Sequence, residues 1–200
     1  MPGRETILNA ARKNKPAFIE APPAWAEGAS IAPEQLTQKF IKTLESIGGK
    51  VIQCNDYDPI RAKLQEQLAT GRFIANTIQG LGATSTEVQT NSNAQSLEPV
   101  EMAFIAGTLA VAENGAVWVY ESQLLNRLLP FICQHLVLVV SRETLVSTMH
   151  AAYRKLDIAA EGYGVFIAGP SKTADIEQSL VIGAHGARSL LVYLVGGTEI

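Results

Sequence analysis

Cysteine is scarce in this 200-residue sequence, which has only Cys54 and Cys133. The two lie far apart, each beside apolar residues, and no C-x-x-C pattern occurs. We therefore do not expect this chain alone to hold a four-thiolate iron–sulfur cluster or a cysteine-based zinc site. The three histidines are widely spaced, without an H-x-x-x-H pattern, so no metal site is predicted either. Both cysteines are predicted to be buried free thiols in a reducing compartment.

Charge and long hydrophobic runs are scarce as well. Charged residues make up 18% of the chain, its formal net charge is −3, and the lysines and arginines are scattered. A nucleic-acid partner is therefore not predicted. Apolar stretches such as residues 136–140 fall far short of the roughly 20 residues that a membrane span needs, and no signal region follows Met1. The sequence predicts a cytoplasmic protein, and it lacks the G-x-S-x-G and P-loop motifs of serine hydrolases and NTPases.

Apolar residues, in contrast, make up 47% of the chain, at a mean hydropathy of +0.12. That content is enough for one sizeable core. A helical pattern over residues 5–14 is followed by a segment that several prolines interrupt, as far as Pro33. Residues 1–32 are therefore predicted to form an N-terminal arm, and residues 33–200 a single α/β domain.

Alternating helix and strand patterns fill the first part of that domain. Helices are predicted over residues 33–47 and from Asp58 to Gly71, and strands over residues 50–54 and 72–76. A helix between two strands is typical of a βαβ unit, in which the strands are parallel. Residues 79–99 show no regular pattern, and they are predicted to form either a binding loop or a wandering surface connection.

The following residues predict a hairpin, two helices and a central strand. Three elements are predicted in turn: an antiparallel hairpin over 108–120 around Asn114-Gly115, a short helix over 124–129 closed by Pro130, and a buried strand over 135–140. Ser141 is then predicted to cap a helix that continues to about Leu156.

Residues 169–177, Gly-Pro-Ser-Lys-Thr-Ala-Asp-Ile-Glu, form a polar segment between two apolar strands predicted over 163–168 and 189–195. Gly169 ends the first strand together with the proline that follows it. Ser171 and Thr173 are suitable N-cap residues for a short helix. Hydroxyls, backbone N–H groups and a helix N-terminus at the carboxyl end of a strand favour a phosphate or carboxylate ligand. The alternative is a well-capped surface helix.

Four further side chains, within this segment or shortly after it, are candidates for binding a ligand or for supporting the turn. His185, followed by Gly186, is predicted to be an acid–base group or anion donor, or else to hold the turn by hydrogen bonds. Arg188 suits a carboxylate ligand, or it pairs with Asp175 or Glu177. Residues two apart on a helix do not face one another, so both carboxylates cannot aim at one substrate atom. Asp175 and Glu177 are therefore predicted to support the turn.

Several of these stretches resemble one known family. Residues 169–177, followed by Gly-Ala-His-Gly-Ala-Arg at 183–188, resemble the C-terminal signature of the LUD domain, the family of the bacterial lactate-utilisation protein C. Residues 112–115, Ala-Glu-Asn-Gly, resemble that family's Ala-Glu-Thr-Gly element. Arg127, with the Leu-Pro and His-Leu pairs at 129–130 and 135–136, resembles the next block. The resemblance covers residues 100–195 well and the first hundred residues loosely.

The resemblance implies a three-layer α/β sandwich with a mixed, mostly parallel sheet, like the ribose-phosphate isomerase, CoA-transferase and formyltetrahydrofolate cyclo-ligase group. It also implies a role in oxidising L-lactate to pyruvate, beside iron–sulfur proteins that carry the clusters. Acidic residues of this group line the cleft near the terminal signature, which makes Glu113 a candidate ligand contact. A carboxylate at a hairpin tip is ordinarily solvated, so that alternative stays open.

Three functions are compatible with these observations. The first is a cluster-free component of L-lactate utilisation, with no cofactor of its own and with iron–sulfur partner proteins. The second is a stand-alone enzyme or binding protein for a phosphorylated, CoA-linked or carboxylated metabolite held at 169–188, which rests on analogy of fold. The third is a structural homo-oligomer, such as a homodimer, assembled through the arm at residues 1–32 and the loop at residues 79–99.

Overall fold

The positions of the secondary-structure elements come from a computed structural model, which describes residues 3–20, 31–84, 94–173, 181–183 and 185–196. The helices are α1 (Gly3–Lys13), α2 (Pro33–Ser46), α3 (Asp58–Leu68), α4 (Ala94–Leu97), α5 (Leu129–Ile132), α6 (Met149–Lys155) and α7 (Ile158–Glu161). The strands are β1 (Lys50–Cys54), β2 (Phe73–Asn76), β3 (Val100–Ala106), β4 (Leu109–Val111), β5 (Ala116–Tyr120), β6 (His135–Ser141), β7 (Leu145–Val146), β8 (Gly164–Ile167), β9 (Lys172–Thr173), β10 (Val181–Ile182) and β11 (Ser189–Val195). The chain divides into two compact units, residues 1–30 and 31–200. The first contains α1, which has no buried residue.

A five-stranded sheet with the order β1-β11-β6-β3-β2 lies at the centre of the second unit. Every neighbouring pair in it is parallel. β6 is the middle strand, and its residues 136–140 are buried, as their uninterrupted apolar run predicts. β1 and β2 lie at opposite edges of the sheet. The two strands predicted to form a βαβ unit are therefore parallel, but they are not neighbours.

Both faces of the parallel sheet are covered. On one face, Ile60 and Leu64 of α3 share an apolar cluster with Val137. On the other face, Phe40 and Leu44 of α2 belong to one apolar cluster with the β6 side chains of that face and with side chains of the second sheet. Each fully buried side chain of this size contributes about 1.5–3 kcal/mol. The three layers are therefore a helical layer, the parallel sheet, and a layer made of a helix and the second sheet. This is the predicted three-layer α/β architecture.

The second sheet has the order β7-β4-β5-β8 and mixed strand directions. It contains the predicted hairpin: Leu109 pairs with Trp118 across the turn, in which Gly115 has a φ of 71°. The outer face packs Trp118 in one cluster with Ala152 of α6. β8 passes so close to Trp118 that a Cβ on Gly164 would lie 2.1 Å from the indole Cζ2. Only glycine fits at that position.

Of the helices predicted between residues 120 and 160, one is wrong and one is only partly right. Residues 124–128 form no helix; Pro130 instead lies in the first turn of α5, where its missing N–H group is not needed. The helix predicted from Ser141 to Leu156 is interrupted by a 3-10 turn over 142–144 and by β7. Ser141 caps the turn, and Thr148 caps α6. Val146 pairs with β4, so tertiary pairing overrides the local helical pattern there.

The short helix predicted from the N-cap residues Ser171 and Thr173 is wrong at the positions that the structure describes. Lys172–Thr173 and Val181–Ile182 form an antiparallel pair of strands, and residues 174–180 lie outside the described ranges. β3 had no predicted counterpart, because its buried run lacks alternation and follows the irregular residues 79–99. Within that irregular stretch the structure forms the short helix α4.

Candidate functional site

The predicted motif begins where β8 ends, and it also lies beside the amino edge of the parallel sheet. Ser171 is hydrogen-bonded to Ala187, two residues before β11 begins. Leu136, the second residue of β6, lines the same cavity as Ser171. The motif therefore follows the carboxyl end of a strand of the second sheet only. Relative to the five parallel strands, it lies at the edge where β6 and β11 start.

Gly169 turns the chain at the end of β8. Its φ is 74°, a backbone conformation that residues other than glycine rarely adopt. A Cβ at this position would also lie 3.0 Å from the carbonyl oxygen of Ile47. Pro170, which follows, is buried beside Gly48 at the end of α2. These contacts hold the turn against the end of α2 and fix the place of Ser171.

Two backbone hydrogen bonds hold Ser171. Its N–H donates to the carbonyl oxygen of Ala187 at 2.8 Å, and its carbonyl oxygen accepts from the N–H of Gly183 at 2.9 Å. The Ser171 N–H is therefore not available to a ligand. A Cβ on Gly186 would lie 3.2 Å from Ser171 Oγ, so Gly186 leaves the space that this hydroxyl occupies. The predicted residues Ser171 and Gly186 are in this way brought together.

Around Ser171 lies a cavity of about 280 Å³. Its apolar wall comes from α5, β6 and β8 and consists of Pro130, Phe131, Leu136, Phe166, Ile167 and Ala168. Three polar side chains, those of Ser171, Lys172 and His185, face it from the turn and the returning segment. Gly169 and Gly186 also line it. A mostly apolar wall with a few polar groups is typical of small-molecule sites.

The charges around this cavity favour an anion. Its lining includes Lys172 and His185 and, among the residues that the structure describes, no aspartate or glutamate. Within the same described part of the chain, Ser171 Oγ and the side chains of Lys172 and His185 form no hydrogen bond or ion pair. An ammonium group and a hydroxyl without protein partners can both donate to a carboxylate or a phosphate.

This arrangement can bind and orient a small organic acid. The Lys172 ammonium and the Ser171 hydroxyl can hold a carboxylate, and hydrogen bonds to a charged group contribute about 1.5–3 kcal/mol each. The imidazole of His185 can donate or accept a proton near the bound group. Phe131 and Phe166 offer apolar surface to the carbon part of the ligand. Lysine, serine and histidine side chains transfer protons but accept no electrons.

An exposed ion pair holds the segment that leads into the apolar wall. Arg127 donates from Nε and Nη2 to the two carboxylate oxygens of Glu121, both at 2.7 Å. Its guanidinium carbon also lies 4.7 Å from the centre of the Tyr163 ring, next to the start of β8. These hydrogen bonds lower the pKa of Glu121. Arg127, part of the block that resembles the LUD family, thus connects the segment before α5 to β8.

Arg188 and Glu113 are not among the residues that line this cavity. The backbone N–H of Arg188 donates to the carbonyl oxygen of Gln134 at 2.8 Å, and its exposed side chain passes close to Gly183. Glu113 Oε2 accepts from the backbone N–H of Met149 at 2.8 Å, at the start of α6. A carboxylate in that position stabilises the helix N-terminus.

The remaining predicted residues belong to β9 and the segment after it. The backbone of Thr173 forms part of β9, and the position of its side chain is not described. Asp175 and Glu177 lie outside the described ranges. The proposed turn-supporting roles of these two carboxylates stay predictions.

Sequence reasoning missed Lys172 and the two phenylalanines of the wall. Lys172 stands inside the motif between two hydroxyl residues, so its charge was a readable signal for an anion site. Phe131 and Phe166 are separated by more than thirty residues, and only the fold brings them to one cavity. Nothing in the local sequence indicates that contact.

The two thiols are buried, as predicted. Burial raises the pKa of Cys133 to about 12, and it also raises the pKa of Cys54. Thiolate is the form that binds metals, so both side chains are poor ligands in the folded chain. No three histidine, cysteine or acidic side chains gather to hold a metal ion in the parts of the chain with described positions. None of the helices within those parts is long and apolar enough to cross a membrane.

Fold and cavity together define an α/β protein whose central parallel sheet carries an anion-favouring cavity at its amino edge. The model of the LUD domain family matches residues 37–195, which is most of the chain. The chain therefore belongs to the LUD domain family.

Among its relatives, a Lactate utilization protein C from Shouchella clausii is 33% identical over 120 residues, covering 54% of this chain and 52% of that protein. The protein of the same name from Halalkalibacterium halodurans is 34% identical over 99 residues, covering 45% and 43%. The chain thus spans about half the length of these relatives. A crystal structure of a DUF162 family protein from Deinococcus radiodurans matches 84% of this chain and 100% of its own, with a TM-score of 0.62 and 15% identity. That likeness concerns the fold alone.

Proposed function

We propose that this chain is a cluster-free component of L-lactate utilisation, which acts beside iron–sulfur partner proteins in the oxidation of lactate to pyruvate. In this role, the cavity at Ser171 and Lys172 binds the carboxylate of the organic acid. The observation that carries the proposal is the lining of this cavity: an ammonium, a hydroxyl and an imidazole, with no acidic side chain among its described residues. The relatives named Lactate utilization protein C support lactate as the acid.

The side chains of the cavity account for binding and for one proton, but not for the electrons. Oxidation of lactate to pyruvate releases two electrons and two protons. In the proposed role, His185 accepts the proton of the hydroxyl group while Lys172 holds the carboxylate; both residues line the cavity, which supports this assignment. The two electrons and the second proton, which come from the C–H bond, then pass to an acceptor on a partner protein, for which iron–sulfur clusters are the proposed electron-accepting chemistry. Two buried cysteines are too few for a four-thiolate cluster on this chain, which supports placing the clusters on partners.

Isolation of the tagged full-length chain from its own organism, expressed at its natural level, tests this partnership. Iron–sulfur proteins are expected to co-purify with it, and deletion is expected to abolish growth on L-lactate as sole carbon source. Restoration with Lys172→Gln should fail, whereas the matched Lys155→Gln, which changes an exposed lysine of α6, should restore growth. Normal growth on lactate after deletion contradicts the proposal.

A second function, a stand-alone enzyme or binding protein for a phosphorylated or CoA-linked metabolite, rests on the same cavity. A lysine and a serine bind phosphate as well as carboxylate, and Phe131 and Phe166 suit a larger apolar group. A thermal-shift panel separates the two, because a ligand at 100 times its dissociation constant adds about 2.7 kcal/mol of stability. Stabilisation by lactate or pyruvate supports the first function. Stabilisation only by phosphate, CoA esters or folates supports the second, and no stabilisation by any compound contradicts both.

A further inference from the structure

The carboxyl edge of the parallel sheet holds another cavity, of about 380 Å³. Its lining consists of Ile31, Pro33, Leu36, Arg142, Glu143, Leu145 and Gly196. Leu136, near the start of β6, lines the first cavity, and Arg142, just after the end of β6, lines this one. At about 3.3 Å per residue, these two positions lie roughly 20 Å apart. One small ligand cannot reach both, so this cavity is a separate site.

This edge is where open parallel sheets usually bind ligands, in the crevice outside the carboxyl ends of the strands. Ser141 and Val195 are paired at the ends of β6 and β11. Arg142 and Gly196 directly follow them and are therefore neighbours at this edge. The terminal motif, in contrast, lies at the edge where the same strands begin. The general rule for parallel sheets thus points to Arg142.

The guanidinium of Arg142 packs against Gly196, where an added Cβ would displace it. A Cβ on residue 196 would lie 2.7 Å from both Cζ and Nη2 of Arg142. The Nε atom of Arg142 is buried and has no hydrogen-bond partner among the residues that the structure describes. Nor does any carboxylate in the described part of the chain form an ion pair with this side chain. A desolvated cationic donor without a partner is unfavourable, and a bound anion would relieve it.

We propose that Arg142 anchors the carboxylate of a small organic acid, whose carbon part packs against Ile31, Leu36 and Leu145. The planar fork of a guanidinium matches the two oxygens of a carboxylate. Among its described lining residues the cavity offers this one positive charge, and Glu143 also lines it, which opposes a doubly charged phosphate. The remaining wall is apolar and suits a short hydrocarbon chain. This site goes beyond the proposed function and does not depend on it.

A titration of the full-length chain with sodium propionate tests the proposal directly at Arg142. The probe signal is the Nε–Hε resonance of Arg142 in 15N-resolved NMR spectra, assigned by its loss in Arg142→Lys. Sodium chloride at equal ionic strength is the baseline. We expect a saturable shift of this resonance with propionate and a smaller one with inorganic phosphate.

Two variants extend the test, and both keep the guanidinium of Arg142. Gly196→Ala pushes the guanidinium away, so it should weaken propionate binding roughly tenfold or more, the loss expected for one hydrogen bond to a charged group. Arg12→Gln, which removes an exposed guanidinium from α1, should leave the titration unchanged. Circular dichroism confirms that each variant is folded.

Three results would overturn the assignment. The first is an Arg142 resonance that does not respond to propionate beyond the chloride baseline. The second is unchanged propionate affinity in a folded Gly196→Ala variant. The third is a larger response to phosphate than to propionate, which would exclude a carboxylate as the preferred ligand.

Discussion

Replacement of Gly169 by alanine tests how the turn at the candidate site is built. Gly169 has a φ of 74°, and an alanine Cβ would lie 3.0 Å from the carbonyl oxygen of Ile47 and 3.2 Å from its Cγ1. The left-handed conformation destabilises the folded alanine variant by roughly 1–2 kcal/mol, and overpacking against Ile47 by about 1–3 kcal/mol more. Alanine also lowers the conformational entropy of the unfolded chain, which offsets about 0.4–1 kcal/mol of this loss. We expect the free energy of unfolding to fall by about 2–4 kcal/mol, as measured by urea denaturation.

Gly162 provides a matched control for this measurement. Its φ is 72°, almost that of Gly169, but no heavy atom lies within 4 Å of an added Cβ. Gly162→Ala should therefore show the conformational cost alone, about 1 kcal/mol. The difference between the two variants measures the close approach to Ile47. Equal losses of stability would refute the contact with α2, and no loss in Gly169→Ala would refute the turn geometry itself.

Two further predictions concern Cys133 and Glu113. An unfolded thiol ionises near pH 9.0, whereas burial raises the pKa of Cys133 to about 12 in the folded chain. The unfolded state alone therefore releases this proton above pH 9, so the free energy of unfolding should fall as pH rises, by up to about 1.4 kcal/mol per unit. Urea denaturation at pH 8 and 10 measures the slope, which should become shallower in Cys133→Ala; an equal slope in that variant would contradict the assignment. Glu113→Gln should cost about 0.5–1 kcal/mol at low salt, since its charge stabilises the start of α6; an equal loss in the exposed control Glu98→Gln would argue against that contact.

Elements whose signals are local could be predicted from the sequence. The apolar runs of β6 and β11 and the Asn-Gly turn between β4 and β5 each carry their information within a few residues. β7 could not be predicted, because Leu145 and Val146 are extended through pairing with β4. Pro130 was misinterpreted as the end of a helix, since a proline marks a first helical turn as readily as a stop.

The candidate site could be predicted only in part, for the same reason. Ser171, His185 and Gly186 come from two neighbouring stretches of one motif, and the fold does bring them to one cavity. Arg188 was predicted to contact a ligand because its guanidinium fork suits a carboxylate, and that chemistry alone does not show which cavity the side chain lines. Arg142 is not part of any sequence motif. Its interest depends on the burial of its Nε atom and on its contact with Gly196, which only tertiary structure shows.

The central claim is that the cavity at Ser171 and Lys172 binds the carboxylate of lactate. A titration of the full-length chain with L-lactate, followed at the backbone amide resonance of Gly186, tests it most directly. The proposal predicts a saturable shift, roughly tenfold or more weaker binding in Lys172→Gln, and unchanged binding in Lys155→Gln. A Gly186 resonance that ignores lactate, or equal affinity in Lys172→Gln, would contradict it.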